Sequence, residues 1–235
     1  MNPMPVNSLF KDHAGTYAAW SVKNPINNDY DRPTILRLAG HLTGKAVLEL
    51  GCAAGGLTTQ LVGAGADVLG VDVEPQMIEF ASQKLGDKAR FKLVDLDQPA
   101  QIAPTASVDI VVASLVLHYI KDWRPLLMEL HRCLKPGGVL VFSLHHPITA
   151  WLLSDRSDYH RTELVTEAWD WGGVPVTAQS YRRPLSAIFG ELRRAGFAID
   201  AVEEPQIQPG PHIDAELMRS LKTQPFFLYI RALRE

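Results

Sequence analysis

Three acidic residues in this chain stand at the ends of short apolar runs. Glu49 opens the segment Glu49-Leu50-Gly51-Cys52-Ala53-Ala54-Gly55-Gly56, Asp72 follows 21 residues beyond Gly51, and Asp95 ends the next run. Glycine at positions 51 and 55 lets the backbone turn sharply and touch a ligand with no Cβ in the way. The helix that follows presents unpaired N–H groups and a partial positive charge, which suits a carboxylate or a phosphate. The loop reads as G-x-A-x-G-G, a distant form of a dinucleotide fingerprint, or as E-x-G-x-A-x-G. Glu49 favours the second form, because a carboxylate at the mouth repels a pyrophosphate and tolerates a cationic amine. Asp72 can accept from both hydroxyls of a ribose, which suits either form.

Candidate proton acceptors lie at the same rim. His145 and His146 follow one apolar run and His118 comes one turn after another. An imidazole there can act as a base, and the plainer role is a loop residue bonded to backbone carbonyls. Tyr17, Trp20, Trp151, Trp169 and Tyr181 are candidate walls of an apolar acceptor pocket. Trp151, Trp169, Trp171 and Tyr181 could equally form a small satellite core. Tyr159-His160-Arg161 and Tyr181-Arg182-Arg183 carry positive charge that could meet an anionic substrate or simply face solvent. No metal is expected, since two histidines without a carboxylate at ligand spacing make a poor site.

These residues need a frame. Apolar runs at 46–50, 67–71, 90–94, 108–113 and 139–144 predict strands, separated by helical stretches that begin near Leu57, Pro75 and Leu127. Lys135-Pro136-Gly137-Gly138 is expected to separate the third helix from strand five. Strands alternating with helices at this rhythm predict a parallel sheet in an α/β fold. A further helix opens at Pro33 and another runs from Leu185, with closing strands at 197–202 and 226–232. Residues 1–32 read as an irregular arm with a short helix near His13–Trp20. Residues 146–183 are too long for an ordinary connection and read as an aromatic insertion, a lid after strand five.

The chain has 235 residues, which predicts one domain spanning 1–235. With 23 basic and 26 acidic residues the net charge is −3, so no global positive field draws nucleic acid. No apolar run reaches the length of a membrane span or a signal peptide. Only two cysteines occur, Cys52 and Cys133. They make no disulfide framework or zinc module and suit a reducing cytoplasm. Cys52, with no base nearby, is expected to be inert. The Asn-rich arm and the aromatic insertion together suit a homodimer.

From Val47 to Leu144 the sequence resembles the class I S-adenosylmethionine-dependent methyltransferases, in particular the small-molecule branch related to quinone-biosynthesis methylases. Four features carry the resemblance in order: Val47 to Gly55; Gly70-Val71-Asp72 with Met77 and Ala81; Val94-Asp95-Leu96; and Asp109 to Tyr119 followed by Leu134-Lys135-Pro136-Gly137-Gly138. The resemblance implies a doubly wound, mostly parallel seven-stranded sheet of order 3-2-1-4-5-7-6, the last strand antiparallel, with helices on both faces. It implies S-adenosyl-L-methionine as cofactor and a small molecule as methyl acceptor at O, N or C. Glu49, Gly51, Cys52, Ala53 and Gly55 would surround the methionine moiety. Asp72 and Val73 would meet the ribose, Met77, Asp95 and Leu96 the adenine, and Ser114 and Leu115 the sulfonium. Ala53 departs from the family's usual glycine, so binding there is expected to be weaker or slightly shifted.

Two other readings stay open. An NAD(P)-dependent oxidoreductase shares this sheet edge, but Glu49, the Pro136-Gly137-Gly138 turn and the lack of a Tyr-x-x-x-Lys pair weigh against it. A non-catalytic adenosyl-ligand-binding protein would keep the cofactor residues and lack an acceptor reaction.

Overall fold

A computed structural model describes residues 8–206 and 215–235. Its centre is a seven-stranded sheet of order β3-β2-β1-β4-β5-β9-β8. The strands are β1 (Ala46–Leu50), β2 (Asp67–Asp72), β3 (Arg90–Leu93), β4 (Val108–Ala113), β5 (Leu134–His145), β8 (Phe197–Glu203) and β9 (Phe227–Arg234). The first five run parallel, and β9 is antiparallel to both neighbours. With the hairpin strands β6 (Glu163–Asp170) and β7 (Pro175–Arg182) set aside, this is the order the resemblance implied.

Burial on both faces explains the continuous apolar runs. Along β4, Ile110 and Val112 pack on one side, while Val111 and Ala113 pack on the other. Alternate residues of a strand point to opposite faces, so a run with no polar break means helices on both. One face is covered by α6 (Trp123–Cys133) and α8 (Leu185–Arg194), through Leu126, Leu130, Ile188 and Leu192. The other is covered by α3 (Arg32–Ala39), α4 (Gly56–Gly63) and α9 (Ala215–Thr223), through Ile35, Leu38, Leu61 and Leu221. The helix α5 (Pro75–Leu85) follows β2, with Pro75 in its first turn and Glu74 as N-cap.

The segment Lys135-Pro136-Gly137-Gly138 does not stand between helix and strand. β5 already begins at Leu134, paired with Val108, and the register slips before Ile110 meets Val139. The bulge absorbs the proline and glycines. The Asp109 carboxylate holds it by accepting from Lys135 Nζ and from the Ala46 N–H, each at 2.9 Å.

The arm is more ordered than expected. It contains α1 (Ser8–Asp12), α2 (Ala14–Ser21) and a π-helical turn, Ile26–Asp31. The insertion holds α7 (Pro147–Leu153) and the β6–β7 hairpin. Arm and hairpin share a small core. Leu9, Trp171, Val176 and Ala178 are buried there with Phe10, Tyr17, Trp20 and Trp169 around them. Tyr17 lies 5.0 Å and Trp20 5.8 Å from Trp171, ring to ring. Trp151 and Tyr181 lie outside this core; Trp151 sits edge-on to Tyr159 instead. Arm and insertion thus cover one another within one chain. Among the described residues no helix is long and apolar enough to cross a membrane.

Candidate functional site

The carboxyl ends of β1, β2 and β4 converge on a cleft lined by Gly51, Ala53, Asp72, Val73, Met77 and Leu96 among others. Open α/β sheets bind ligands at this edge. Gly51 has φ of 64°, and a Cβ there would lie 2.6 Å from Val116 Cγ2. Gly55 caps α4 in the left-handed region. Ala53 occupies that region too, at φ 45°. Its N–H donates to Asp72 Oδ2 at 2.9 Å, and the Glu74 N–H donates to Oδ1 at 3.0 Å. Those two bonds fix the carboxylate and leave lone pairs facing the cleft. Burial nevertheless raises the Asp72 pKa above its ordinary value.

Asp95 stands apart from this lining. Its carboxylate accepts from the Asp97 N–H at 2.9 Å, while the neighbouring Leu96 faces the cleft. Cys52 is a buried free thiol whose pKa is pushed up by burial.

A second recess joins the cleft at Gly51 and Ala53 and is lined by Glu49, Cys52, Asn27, Arg32 and Ser114. Glu49 is 2 % exposed and accepts from Thr58 Oγ1 at 2.6 Å. Burial raises its pKa to about 8, against the opposing influences of Thr58 and Arg32. Arg32 is bonded to Asn28 and rests on the first turn of α4, where any Cβ on Gly56 would collide with its guanidinium. A cation and a buried acid therefore flank the amino end of α4. Nothing in the order of residues marks Arg32, which reads there as an ordinary helix start beside Pro33.

Asp31 was also invisible in the sequence, as one acid in a polar arm. It is fully buried, and Ser114 Oγ donates to its Oδ2 at 2.5 Å. The next residue, Leu115, has φ of 50° and donates its N–H to Ser143 Oγ at 3.0 Å. The turn leaving β4 is thus held by side chains from the arm and from β5.

A third cavity, larger than the cleft, opens between arm, hairpin and sheet. Tyr17, Trp20, Trp169 and all three candidate histidines line it; Trp151 and Tyr181 do not. Tyr181 instead faces a small side cavity with Arg183. His118 and His145 stack with ring centroids 4.2 Å apart. Burial depresses both, His145 to about 4 and His118 well below its ordinary value. Both nitrogens of His118 lack a hydrogen-bond partner among the described residues. His146 is differently engaged: Nδ1 accepts from the Ile148 N–H at 3.2 Å, capping α7, and Nε2 lies 2.7 Å from Glu204. Glu167, which no sequence signal marked, also lines this chamber.

Two of the three arginines suggested for an anionic substrate have other partners. Arg182 pairs with Glu163 at 2.5 Å and donates to the Tyr159 and Asp158 carbonyls. Arg183 donates to the Ile120 and Lys121 carbonyls and lies 4.7 Å over the Trp123 ring. Tyr17 and Leu115 line all three cavities, so these form one branched space.

The two inner branches fit one ligand class. A nucleoside diol suits Asp72, and a zwitterionic amino-acid end suits Glu49 opposite Arg32 and the α4 amino end. S-adenosylmethionine has both features.

Comparison with known proteins points the same way. A family profile described as a methyltransferase domain matches residues 48–140. An uncharacterized protein of Haemophilus influenzae is 33% identical over 231 residues, covering 89% of each chain. The demethylmenaquinone methyltransferase of Lactococcus lactis is 33% identical over 147 residues, 60% of this chain and 57% of that one. The chain spans about half the length of the named curated relatives it matches, 47% for a ubiquinone biosynthesis O-methyltransferase of Idiomarina loihiensis. The crystal structure of an S-adenosylmethionine-dependent methyltransferase from Mesorhizobium loti superposes with a TM-score of 0.67 at 26% identity, over 86% of this chain and 96% of that one. By sequence, sheet order and cleft, the chain belongs to the class I S-adenosylmethionine-dependent methyltransferases.

Proposed function

We propose that this protein methylates a small, largely apolar acceptor held in the aromatic chamber between arm and hairpin. The observation that carries the reading is the meeting of the cofactor cleft and the chamber at Tyr17 and Leu115. S-adenosylmethionine supplies a methyl group already activated on a sulfonium. The protein's tasks are then alignment, exclusion of water and disposal of a proton.

Alignment and the exclusion of water have residues suited to them. Asp72, Glu49 and Arg32 would fix the two ends of the cofactor, with Val73, Met77 and Leu96 beside the nucleoside and Asp95 at the rim. Ser114 and Leu115, braced by Asp31 and Ser143, would set the wall between cleft and chamber. The arm and hairpin close over the acceptor and keep water out. His118 has nitrogens without a partner among the described residues and is held neutral by burial, which favours a hydrogen bond with the acceptor over proton uptake. His145 orients it by stacking. His146, already engaged at both nitrogens, serves the fold. Names of relatives in quinone biosynthesis support a flat ring as acceptor. Two buried free thiols support a cytoplasmic setting.

Calorimetric titration with S-adenosylmethionine, followed by mass spectrometry over a panel of phenols, quinols and amines, tests the reading. Binding at micromolar concentrations with a 14-dalton gain on one acceptor class is expected. A flat titration overturns it; binding with no product across the panel would favour a ligand-binding protein instead.

A further inference from the structure

Charge in the acceptor chamber is one-sided. Glu167, on β6, faces it among Tyr17, Trp20, Trp169, Trp171 and Phe227. No lysine or arginine is among its described lining residues. The remaining segments, 1–7 and 207–214, contain neither residue type in sequence. The hairpin's own arginines, Arg182 and Arg183, are taken up by Glu163 and by backbone carbonyls, and neither lines the chamber.

Glu167 itself is half-buried and has little to hold it. Its Oε2 accepts from Trp169 Nε1 at 3.2 Å, and it forms no ion pair among the described residues. Burial raises its pKa, and a cation beside it would offset the cost of keeping the carboxylate charged. Aromatic side chains line the chamber together with that carboxylate, and an ammonium among them gains from the ring quadrupole and from the acid in the same direction. A carboxylate or phosphate would meet Glu167 with no compensating cation.

On the reading that this protein is a methyltransferase, we propose that its acceptor is an amine on an apolar or aromatic body: the ammonium docks against Glu167, passes one proton to that carboxylate, and its freed lone pair takes the methyl group from the sulfonium, leaving S-adenosylhomocysteine and a methylated ammonium. Glu167 is then a specificity-determining residue, selecting cations and rejecting anions.

Three matched probes test this with the full chain saturated in S-adenosylhomocysteine: phenethylamine, 2-phenylethanol and phenylacetate, compared by ligand-observed NMR. The amine is expected to bind about tenfold more tightly than the alcohol, and phenylacetate most weakly. Glu167→Gln should reduce the amine–alcohol gap to about twofold, while Glu167→Asp retains part of it. Both variants should bind S-adenosylhomocysteine as the parent does, which shows that they fold. Equal affinity for amine and alcohol, preference for phenylacetate, no binding of any probe, or an amine preference that survives Glu167→Gln would each overturn the inference. If the proteins bind S-adenosylhomocysteine, that failure touches the substrate class alone. If S-adenosylhomocysteine itself does not bind, the methyltransferase reading falls and takes this one with it.

Discussion

The Ala53 N–H and the Asp72 carboxylate are joined across two strand ends by a 2.9 Å hydrogen bond. One residue of the loop after β1 therefore positions the acid that faces the cleft. That bond holds Ala53 at φ 45°, a conformation in which its Cβ is strained.

Ala53→Gly should relieve that strain. A gain of about 0.5–1 kcal/mol is expected, or a rise of about 2–4 °C in melting temperature. Differential scanning calorimetry checks it, and a lower melting temperature would show that the Ala53 methyl is well packed.

Asp72→Ala removes both the anchor of the loop and the acceptor for a diol. Affinity for S-adenosylmethionine should fall at least tenfold, equivalent to about 1.4 kcal/mol, in calorimetric titration. An unchanged affinity would move the nucleoside elsewhere.

Glu49 introduces a pH dependence of definite sign. Its folded pKa of about 8 lies above its ordinary value of 4.5. The folded state then binds more protons between those limits, so Glu49's contribution is favourable at low pH and is lost as pH rises from 4.5 to 8. Compared with the parent, Glu49→Gln should gain stability over that window, by at most about 1.4 kcal/mol per pH unit. Denaturant unfolding of both proteins without cofactor, at pH 5 and pH 8, reads the difference.

His145 acts in the opposite sense. Its folded pKa of about 4 lies below the ordinary 6.5. The unfolded chain takes up the proton first, so stability falls as pH drops from 6.5 toward 4. His145→Phe keeps a ring against His118 and Phe227 and removes this loss. The variant should therefore melt closer to the parent, or above it, at pH 5 than at pH 7.5.

Asp31→Ala leaves Ser114 without its partner in a buried site. A loss of about 1–3 kcal/mol in stability is expected, with weaker cofactor binding as the turn after β4 loosens. Asp31→Asn, which can still accept from Ser114, should cost less. Unfolding and titration of the two variants side by side separate a bracing role from simple destabilisation.

How much of this was legible from residue order follows a physical pattern. Strands buried on both faces must be apolar throughout, so β1, β2, β4 and the core of β5 announce themselves, and their alternation with helices requires the parallel sheet. A loop that must pass close to a ligand needs small residues at set places, so Gly51, Gly55 and the acid at Asp72 were visible too. The bulge in β5 was misread because proline and glycine usually break a strand, and only pairing with Val108 and Asp109 shows that this one continues.

Sequence by itself therefore determined the parallel sheet and the edge that carries the cleft, because those depend on local periodicity and on turns of fixed length, while the strand order followed from the family resemblance. Tertiary structure decided which residues of the acceptor side meet: Tyr17, Trp20 and Trp169 line the chamber as expected, and Trp151 and Tyr181 do not. Arg32 over α4, Asp31 beneath Ser114, the stacked His118 and His145, and Glu167 within the rings are each a meeting of residues far apart in the chain. A polar side chain that finds its partner across such a distance leaves no periodic trace in the order of residues. The same is true of the aromatic cage, whose rings come from the arm, the hairpin and the last strand, and become one surface only when the chain has closed.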